Sequence, residues 1–331
     1  MGKKVLITGA SGFIGSFLVE TALQLHYDVF AAVRKSSSKQ YLKDSRINFI
    51  EIDFNNKDSL KRILSEEKFD YVIHAAGLTK AMKIEDFDIV NFQAVKNFAD
   101  ALIETINVPQ KFVFISSMAA HGPGNDNDTV PVKPDDIPHP DTAYGLSKLK
   151  AEQYLNSLKN FPFITLRPTG VYGPREKDYF VFFKTLNSGI EPYIGLKKQY
   201  LTFIYVKDLV NVTLKAMESE ISGKTYFVSD GKSYTAEEFA SITKKILNKK
   251  TIKLFVPLFI VKSIAYLLET VNGWFGKVPT LNMDKYNVLK ARNWLCDTSD
   301  LVKDFDFKPE YFLEDGVKEA ISWYKENQWL K

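Results

Sequence analysis

The amino-acid sequence predicts an α/β protein: a doubly wound, mostly parallel sheet followed by a smaller mixed α/β carboxy-terminal lobe that would hold a substrate. Three observations carry that prediction. Short runs rich in Val, Ile and Phe alternate with helical patterns through the first half of the chain, the rhythm required by a parallel sheet covered on both faces. The segment TGASGFIG, residues 8–15, joins the first strand candidate to the first helix candidate. Tyr144 and Lys148 stand four residues apart in PDTAYGLSKLKAEQYL, a spacing that puts a phenol and an ammonium on one helical face, a turn apart.

In chain order, strands are expected at 4–8, 28–33, 48–52, 71–74, 111–116 and 163–167, and helices at 12–25, 57–66, 86–106 and 142–158. This is the repeating βα pattern of a nucleotide-binding sheet. Beyond Arg167 the composition shifts toward Pro, Gly, Tyr and Phe, and the strand candidates at 201–205 and 225–228 are more widely spaced. The boundaries read 1–168 for the dinucleotide half and 169–331 for the substrate half, with about 199–230 returning to the first. Residues 121–141, rich in Gly, Pro, Asn and Asp, form a loop long enough to suggest function.

Bulk properties narrow the field. A chain of 331 residues exceeds a single small core. Its net charge of +4 arises without a basic tail or block, which argues against a nucleic-acid partner. One cysteine, Cys296, and four scattered histidines leave neither a disulfide framework nor a metal-ligand motif. With no secretory leader in MGKKVLITG, that composition suits the cytoplasm. The most apolar stretch, 254–268, holds Pro257 and Lys262 in 15 residues, whereas a bilayer span needs roughly 20 apolar residues. Over 258–271 it reads as a buried or lid helix, ahead of a membrane-surface anchor.

The glycine segment has a physical task. After the first strand Gly9 permits a tight turn, Gly12 lets the backbone approach a pyrophosphate, and Gly15 lets the new helix pack on the sheet. Ser11, Phe13 and Ile14 belong to the same cofactor-binding turn. Free amides at the helix start would meet the phosphate charge. The spacing is G-x-x-G-x-x-G, which departs from the generic G-x-G-x-x-G. An NAD-binding chain places an acidic residue at the end of the second strand for the ribose hydroxyls. Here Val33 is followed by Arg34, Lys35, Ser36 and two more serines, cations and hydroxyls suited to a 2′-phosphate, so NADP(H) is expected ahead of NAD(H).

TGASGFIG, Asp53 in EIDF, HAAG at 74–77, FISSMAAHG, YGLSK and LRPTGVYGP at 166–174 together resemble the extended short-chain dehydrogenase/reductases, also called the epimerase/dehydratase superfamily. YVKDL at 205–209 and the terminal WLCDTSDL extend the likeness over nearly the whole chain. The resemblance implies a Rossmann sheet and a catalytic set of Ser117, Tyr144 as acid/base, and Lys148 on the nicotinamide ribose. It further implies cofactor contacts from Asp53, Phe54, Ala75, Ala76, Gly77, Asn91, Pro168 and Val171. A homodimer packed through the helix at 86–106 and the helix carrying Tyr144 is implied as well.

The chemistry of that trio also follows from the residue types. A free phenol titrates near 10, and bringing it to about 7 needs roughly 4 kcal/mol of differential stabilisation, to which a neighbouring ammonium contributes. Ser117 would hold the substrate oxygen by hydrogen bond. Two departures bear on the substrate. Nucleotide-sugar enzymes of the superfamily usually carry Asn before VYGP, where this chain has Thr169 and Gly170, and an Arg where it has Leu201. RPTGVYGP resembles the sterol dehydrogenase and dihydroflavonol reductase branches, and Tyr179, Phe180, Phe182, Phe183, Trp274 and Phe275 are candidates to line an apolar pocket. Arg175, Lys177, Lys197, Lys198 and Arg292 keep a diphosphate clamp open as the alternative.

Overall fold

The computed structural model describes residues 2–274, 279 and 281–330. Fourteen strands are present among them: β1 (Lys4–Thr8), β2 (Asp28–Val33), β3 (Asn48–Glu51), β4 (Tyr71–His74), β5 (Lys111–Ile115), β6 (Phe163–Pro168), β7 (Gly170–Tyr172), β8 (Ile190–Ile194), β9 (Tyr200–Leu201), β10 (Phe203–Tyr205), β11 (Lys224–Val228), β12 (Tyr234–Thr235), β13 (Ile252–Val256) and β14 (Asn293–Trp294). The α-helices are α1 (Phe13–Gln24), α2 (Lys57–Glu66), α3 (Ile84–Phe87), α4 (Ala94–Glu104), α5 (Ala143–Ser157), α6 (Asp178–Asn187), α7 (Val206–Glu218), α8 (Ala236–Leu247), α9 (Leu258–Trp274), α10 (Met283–Lys290), α11 (Ser299–Phe305) and α12 (Leu313–Glu326).

Seven strands form one sheet in the order β3-β2-β1-β4-β5-β6-β11, with every pair from β3 to β6 parallel. Sequence order reverses between β1 and β4, and a doubly wound sheet binds its ligand outside the carboxyl ends of the strands at that reversal. Val5, Leu6, Ile7, Val72, Ile73, Phe112, Val113 and Phe114 are all fully buried, as expected for strands covered on both faces. The chain divides into two compact units, one comprising residues 1–120, 143–167 and 210–226, the other 121–142, 168–209 and 227–331.

The first unit departs from the sequence reading at one helix. In place of a continuous helix at 86–106, α3 runs into a π-helical segment, Asp88–Gln93, before α4 begins. Such wide turns insert a residue and collect at functional positions, and this one carries the fully buried Asn91.

The second unit is assembled from small sheets: β7 with β10, β8 with β13, and β12-β9-β14. The strand expected at 201–205 is split into β9 and β10. Its core gathers Phe183, Phe203, Phe239 and Tyr324, against which Tyr179, Phe180 and Phe182 pack. The Phe182 and Phe239 rings stack at 4.7 Å. Phe183 of α6 therefore lies in a core, with Tyr179, Phe180 and Phe182 partly buried against it, while Phe275 lies outside the described residues.

The apolar stretch 254–268 also proves to be two elements. Pro257 has no N–H to offer a ladder, so β13 ends at Val256 and α9 starts at Leu258, with the Pro257 carbonyl accepting from the Val261 amide at 3.2 Å. Of the buried or lid helix expected there, the fully buried form is not observed, since Phe259, Tyr266 and Leu267 are 71%, 68% and 60% exposed. No described helix is long and apolar enough to cross a membrane.

Candidate active site

The glycine turn is packed so tightly that side chains are excluded from it. Gly9 has φ +67°, and a Cβ there would lie 2.6 Å from the Ala75 carbonyl oxygen at the end of β4. A Cβ on Gly15 would sit 2.1 Å from the Gly9 oxygen. Gly12 donates to the Gly9 carbonyl at 2.9 Å and stands at the N-cap of α1, where no side chain caps the helix. The first amides of α1 thus remain available to an anion. Ser11, Phe13 and Ile14 are half-buried around the turn, with Phe13 edge-on to Phe17. A dinucleotide pyrophosphate fits this cradle.

The neighbouring strand ends hold the other predicted residues. Thr8 Oγ1 accepts from the Ala76 amide at 3.2 Å and lies 3.1 Å from His74 Nδ1. His74 is packed among Phe54, Phe98, Phe112 and Phe114, and burial, then the charge of Lys148, pushes its pKa down to about 3. It is a neutral packing residue at neutral pH. Phe54 follows exposed Asp53, whose carboxylate accepts from the Asn55 amide at 3.0 Å. Arg34, Lys35 and Ser36 follow β2 on the surface, in a turn closed by the Ser37 amide on the Arg34 carbonyl at 2.9 Å.

Asn91 has a definite mechanical task. Its Oδ1 accepts from the Leu78 amide at 2.7 Å, and its Nδ2 donates to the Leu78 carbonyl at 2.9 Å and to Ser147 Oγ at 3.0 Å. The π-helical turn thereby ties the loop after β4 to α5. Gly77 in that loop lies so close that a Cβ would be 3.2 Å from both Asn91 Oδ1 and Lys148 Nζ.

Ser117 follows β5 at the mouth of a short 3₁₀ turn, Met118–Ala120, its hydroxyl accepting from the Ala119 amide at 3.1 Å. Its hydroxyl stands beside Tyr144 and favours the ionised form of that phenol, which lies in the first turn of α5. Lys148, one turn on, is 3% exposed and donates to the Ile115 carbonyl at 2.9 Å, with its ammonium 4.7 Å from the Phe114 ring centre. Serine, phenol and ammonium thus gather at the carboxyl end of β5.

Burial raises the Tyr144 pKa to about 12; Ser117 opposes the rise and the charge of Glu152 adds to it. Burial also disfavours the charge of Lys148 and brings its pKa down to about 8, with Glu152 pulling it upward.

Glu152, one further turn along the same face, escaped the sequence reading. It is 2% exposed, pairs with Arg167 Nη2 at 2.6 Å and Nε at 3.1 Å, and accepts from Ser116 Oγ. The buried carboxylate thus links α5, β6 and the residue preceding Ser117. Its signal was the 144-148-152 period, masked because a helical Glu is by default a surface residue.

Pro168 closes β6 and Val171 lies in β7. In the second unit, Arg292 is drawn into backbone contacts, Nη1 donating to the Asp126 carbonyl at 2.6 Å and Nε to that of Lys198 at 3.1 Å. Lys177, Lys197 and Lys198 are exposed. Leu201 pairs with Trp294 and Tyr234 inside the three-stranded sheet.

A reversal-point glycine turn beside a Ser-Tyr-Lys cluster defines an enzyme of the extended short-chain dehydrogenase/reductase class. The model of the NAD dependent epimerase/dehydratase family matches residues 5–229, and the chain belongs to that family. It is similar to the UDP-glucose 4-epimerase of Vibrio cholerae, 26% identical over 333 residues and covering 97% of this chain and 95% of that one. It is also similar to the decarboxylating sterol-4-alpha-carboxylate 3-dehydrogenase of Saccharomyces cerevisiae, 23% identical over 354 residues, covering 97% and 98%. The crystal structure of the Thermotoga maritima UDP-glucose 4-epimerase with UDP-glucose shares the fold, with a TM-score of 0.80, 22% identity and coverage of 98% and 99%.

Proposed function

We propose that this protein is an NADP(H)-dependent oxidoreductase that interconverts a secondary alcohol and a ketone on a largely apolar small molecule. The observation that carries the reading is the gathering of Ser117, Tyr144 and Lys148 at the carboxyl end of β5, with Lys148 one helical turn beyond Tyr144 and anchored on the Ile115 carbonyl. The glycine turn, Asp53, Phe54 and residues 75–77 would hold the dinucleotide, and Arg34, Lys35 and Ser36 its 2′-phosphate. When bound, the dinucleotide supplies or accepts the hydride.

The chain's own residues manage the proton. Ser117 Oγ holds the substrate oxygen by hydrogen bond, and Tyr144 Oη gives its proton to that oxygen in reduction or takes one in oxidation. A phenol at about 12 is well suited to remain a donor at neutral pH. Lys148 holds positive charge near the phenol, while its amine is anchored on the Ile115 carbonyl. Asn91 positions the Gly77–Leu78 backbone against that lysine.

The apolar substrate is supported by Thr169 and Gly170 before VYGP, by Leu201 within a sheet, and by likeness to the yeast sterol dehydrogenase over nearly the full chain. The nucleotide-sugar reading has its own support in the Vibrio cholerae epimerase relative. Cofactor accounting separates them. The proposed reductase consumes one NADPH for each ketone reduced, so absorbance at the nicotinamide band falls in step with product. Conversion of a UDP-hexose to its epimer with no net change in that absorbance would overturn the proposal in favour of the sugar reading.

A further inference from the structure

The second unit carries a surface whose polarity is inverted. In α9, Val261 and Ala265 turn inward, at 4% and 0% exposure. On the opposite arc Phe259, Ile260, Ile264, Tyr266 and Leu267 range from 38% to 71% exposed. A helix lying on a protein surface in water normally presents the reverse pattern. The preceding strand also exposes apolar side chains, Ile252 and Leu254 on one face and Phe255 on the other, at 80%, 51% and 49%. A run of exposed apolar side chains along one arc of a helix marks an interaction site.

Charge identifies the occupant. Lys249, Lys250, Lys253 and Lys262 are exposed and form no ion pair among the described residues. Between 249 and 271 the sole carboxylate is Glu269, which accepts from the Met283 amide at 3.1 Å. Two copies meeting through this face would set lysines against lysines with almost no counter-charge, a poor self-complement. A bilayer containing anionic lipids offers both terms, hydrocarbon for the aliphatic and aromatic side chains and negative headgroups for the lysines. Since α9 cannot cross a membrane, it would lie in the interface plane.

We propose that β13 and α9 form a docking surface for anionic phospholipid membranes. The inference uses no catalytic residue and holds whatever ketone or sugar the enzyme handles.

The test is flotation of the whole protein with vesicles of phosphatidylcholine alone or with about 30 mol % phosphatidylglycerol. Binding is expected to the anionic vesicles, weak on phosphatidylcholine, and reduced as NaCl rises from about 0.1 to about 0.5 M. Phe259→Glu with Leu267→Glu should lower the partition coefficient by roughly a hundredfold, tenfold for each side chain withdrawn. Lys250→Gln and Lys253→Gln should each lower it roughly fivefold on anionic vesicles only. All four positions are exposed, and unchanged circular dichroism and dinucleotide affinity would show the variants folded. Failure of the parent protein to float with either vesicle would overturn the proposal, as would variants that bind undiminished. A halving of the light-scattering mass in the double glutamate variant, without lipid binding by the parent, would assign the face to a second copy instead. Since turnover enters none of these readings, an error in the proposed reaction would leave their outcome untouched.

Discussion

Helices α5 and α9 both break the rule that polar residues face water and apolar ones face inward, and they break it in opposite directions. α5 buries Ser147, Lys148 and Glu152 at 3% exposure or less, and each has a partner: Asn91, the Ile115 carbonyl and Arg167. α9 turns Phe259 and Leu267 toward solvent, at 71% and 60% exposure. Burying a charge is costly unless it is paired, so an interior lysine and glutamate mark chemistry within the fold. Exposed apolar area is costly unless something covers it, so the outward face of α9 points to a contact beyond the chain.

The largest effect that would sharpen this contrast is on turnover. Tyr144→Phe removes one oxygen from α5 and should reduce turnover by about a thousandfold while leaving the dinucleotide dissociation constant nearly unchanged. Loss of cofactor binding in that variant would make the phenol a structural element.

Next is the buried carboxylate. Glu152→Gln leaves the Arg167 guanidinium buried without its counter-charge, and chemical denaturation should show a loss of about 3–5 kcal/mol. It also has a pH signature. Glu152 pulls the Lys148 pKa upward toward about 8, so its removal lets the ammonium deprotonate at lower pH and shifts the alkaline limb of activity downward. The sign for stability is the reverse of that for a paired lysine. Because the folded pKa of Lys148 is depressed from 10.5 to about 8, the unfolded chain binds more protons between those values, and this group's contribution to stability rises with pH across that window.

The smallest effect belongs to the cofactor loop. Arg34→Asp should weaken NADPH roughly tenfold to a hundredfold, the worth of a charge-assisted phosphate contact, and leave NADH nearly unaffected in parallel titrations. Equal losses for both would remove the 2′-phosphate assignment.

The first unit was legible because its signals are local and long enough to read. Lys4–Thr8, Asp28–Val33 and Tyr71–His74 stand where their apolar runs place them, each bounded by turn residues. Tyr144 and Lys148 could be paired because a helical period is visible in one dimension, whereas Ser117 was singled out only through the family resemblance. The π-helical turn at Asn91 could not, since an extra backbone residue per turn has no residue type of its own. The second unit was opaque for another reason. β9, β12 and β14 are two residues long, too short to show a period of two, and their partners come from distant parts of the chain. The aromatics of α6 pointed to a pocket from composition alone, but only packing reveals that Phe239 and Tyr324 claim them.

The turn after β2 closes on itself, with the Ser37 amide on the Arg34 carbonyl and the Arg34 amide on Ser37 Oγ, and its cationic side chains project into water. Under the proposed 2′-phosphate contact, the choice of coenzyme rests on side chains that stand outside the core. Gly9 and Gly15 admit no side chain without a collision, whereas Arg34 and Lys35 are exposed, so their exchange would alter the proposed 2′-phosphate contact and leave the pyrophosphate cradle in place.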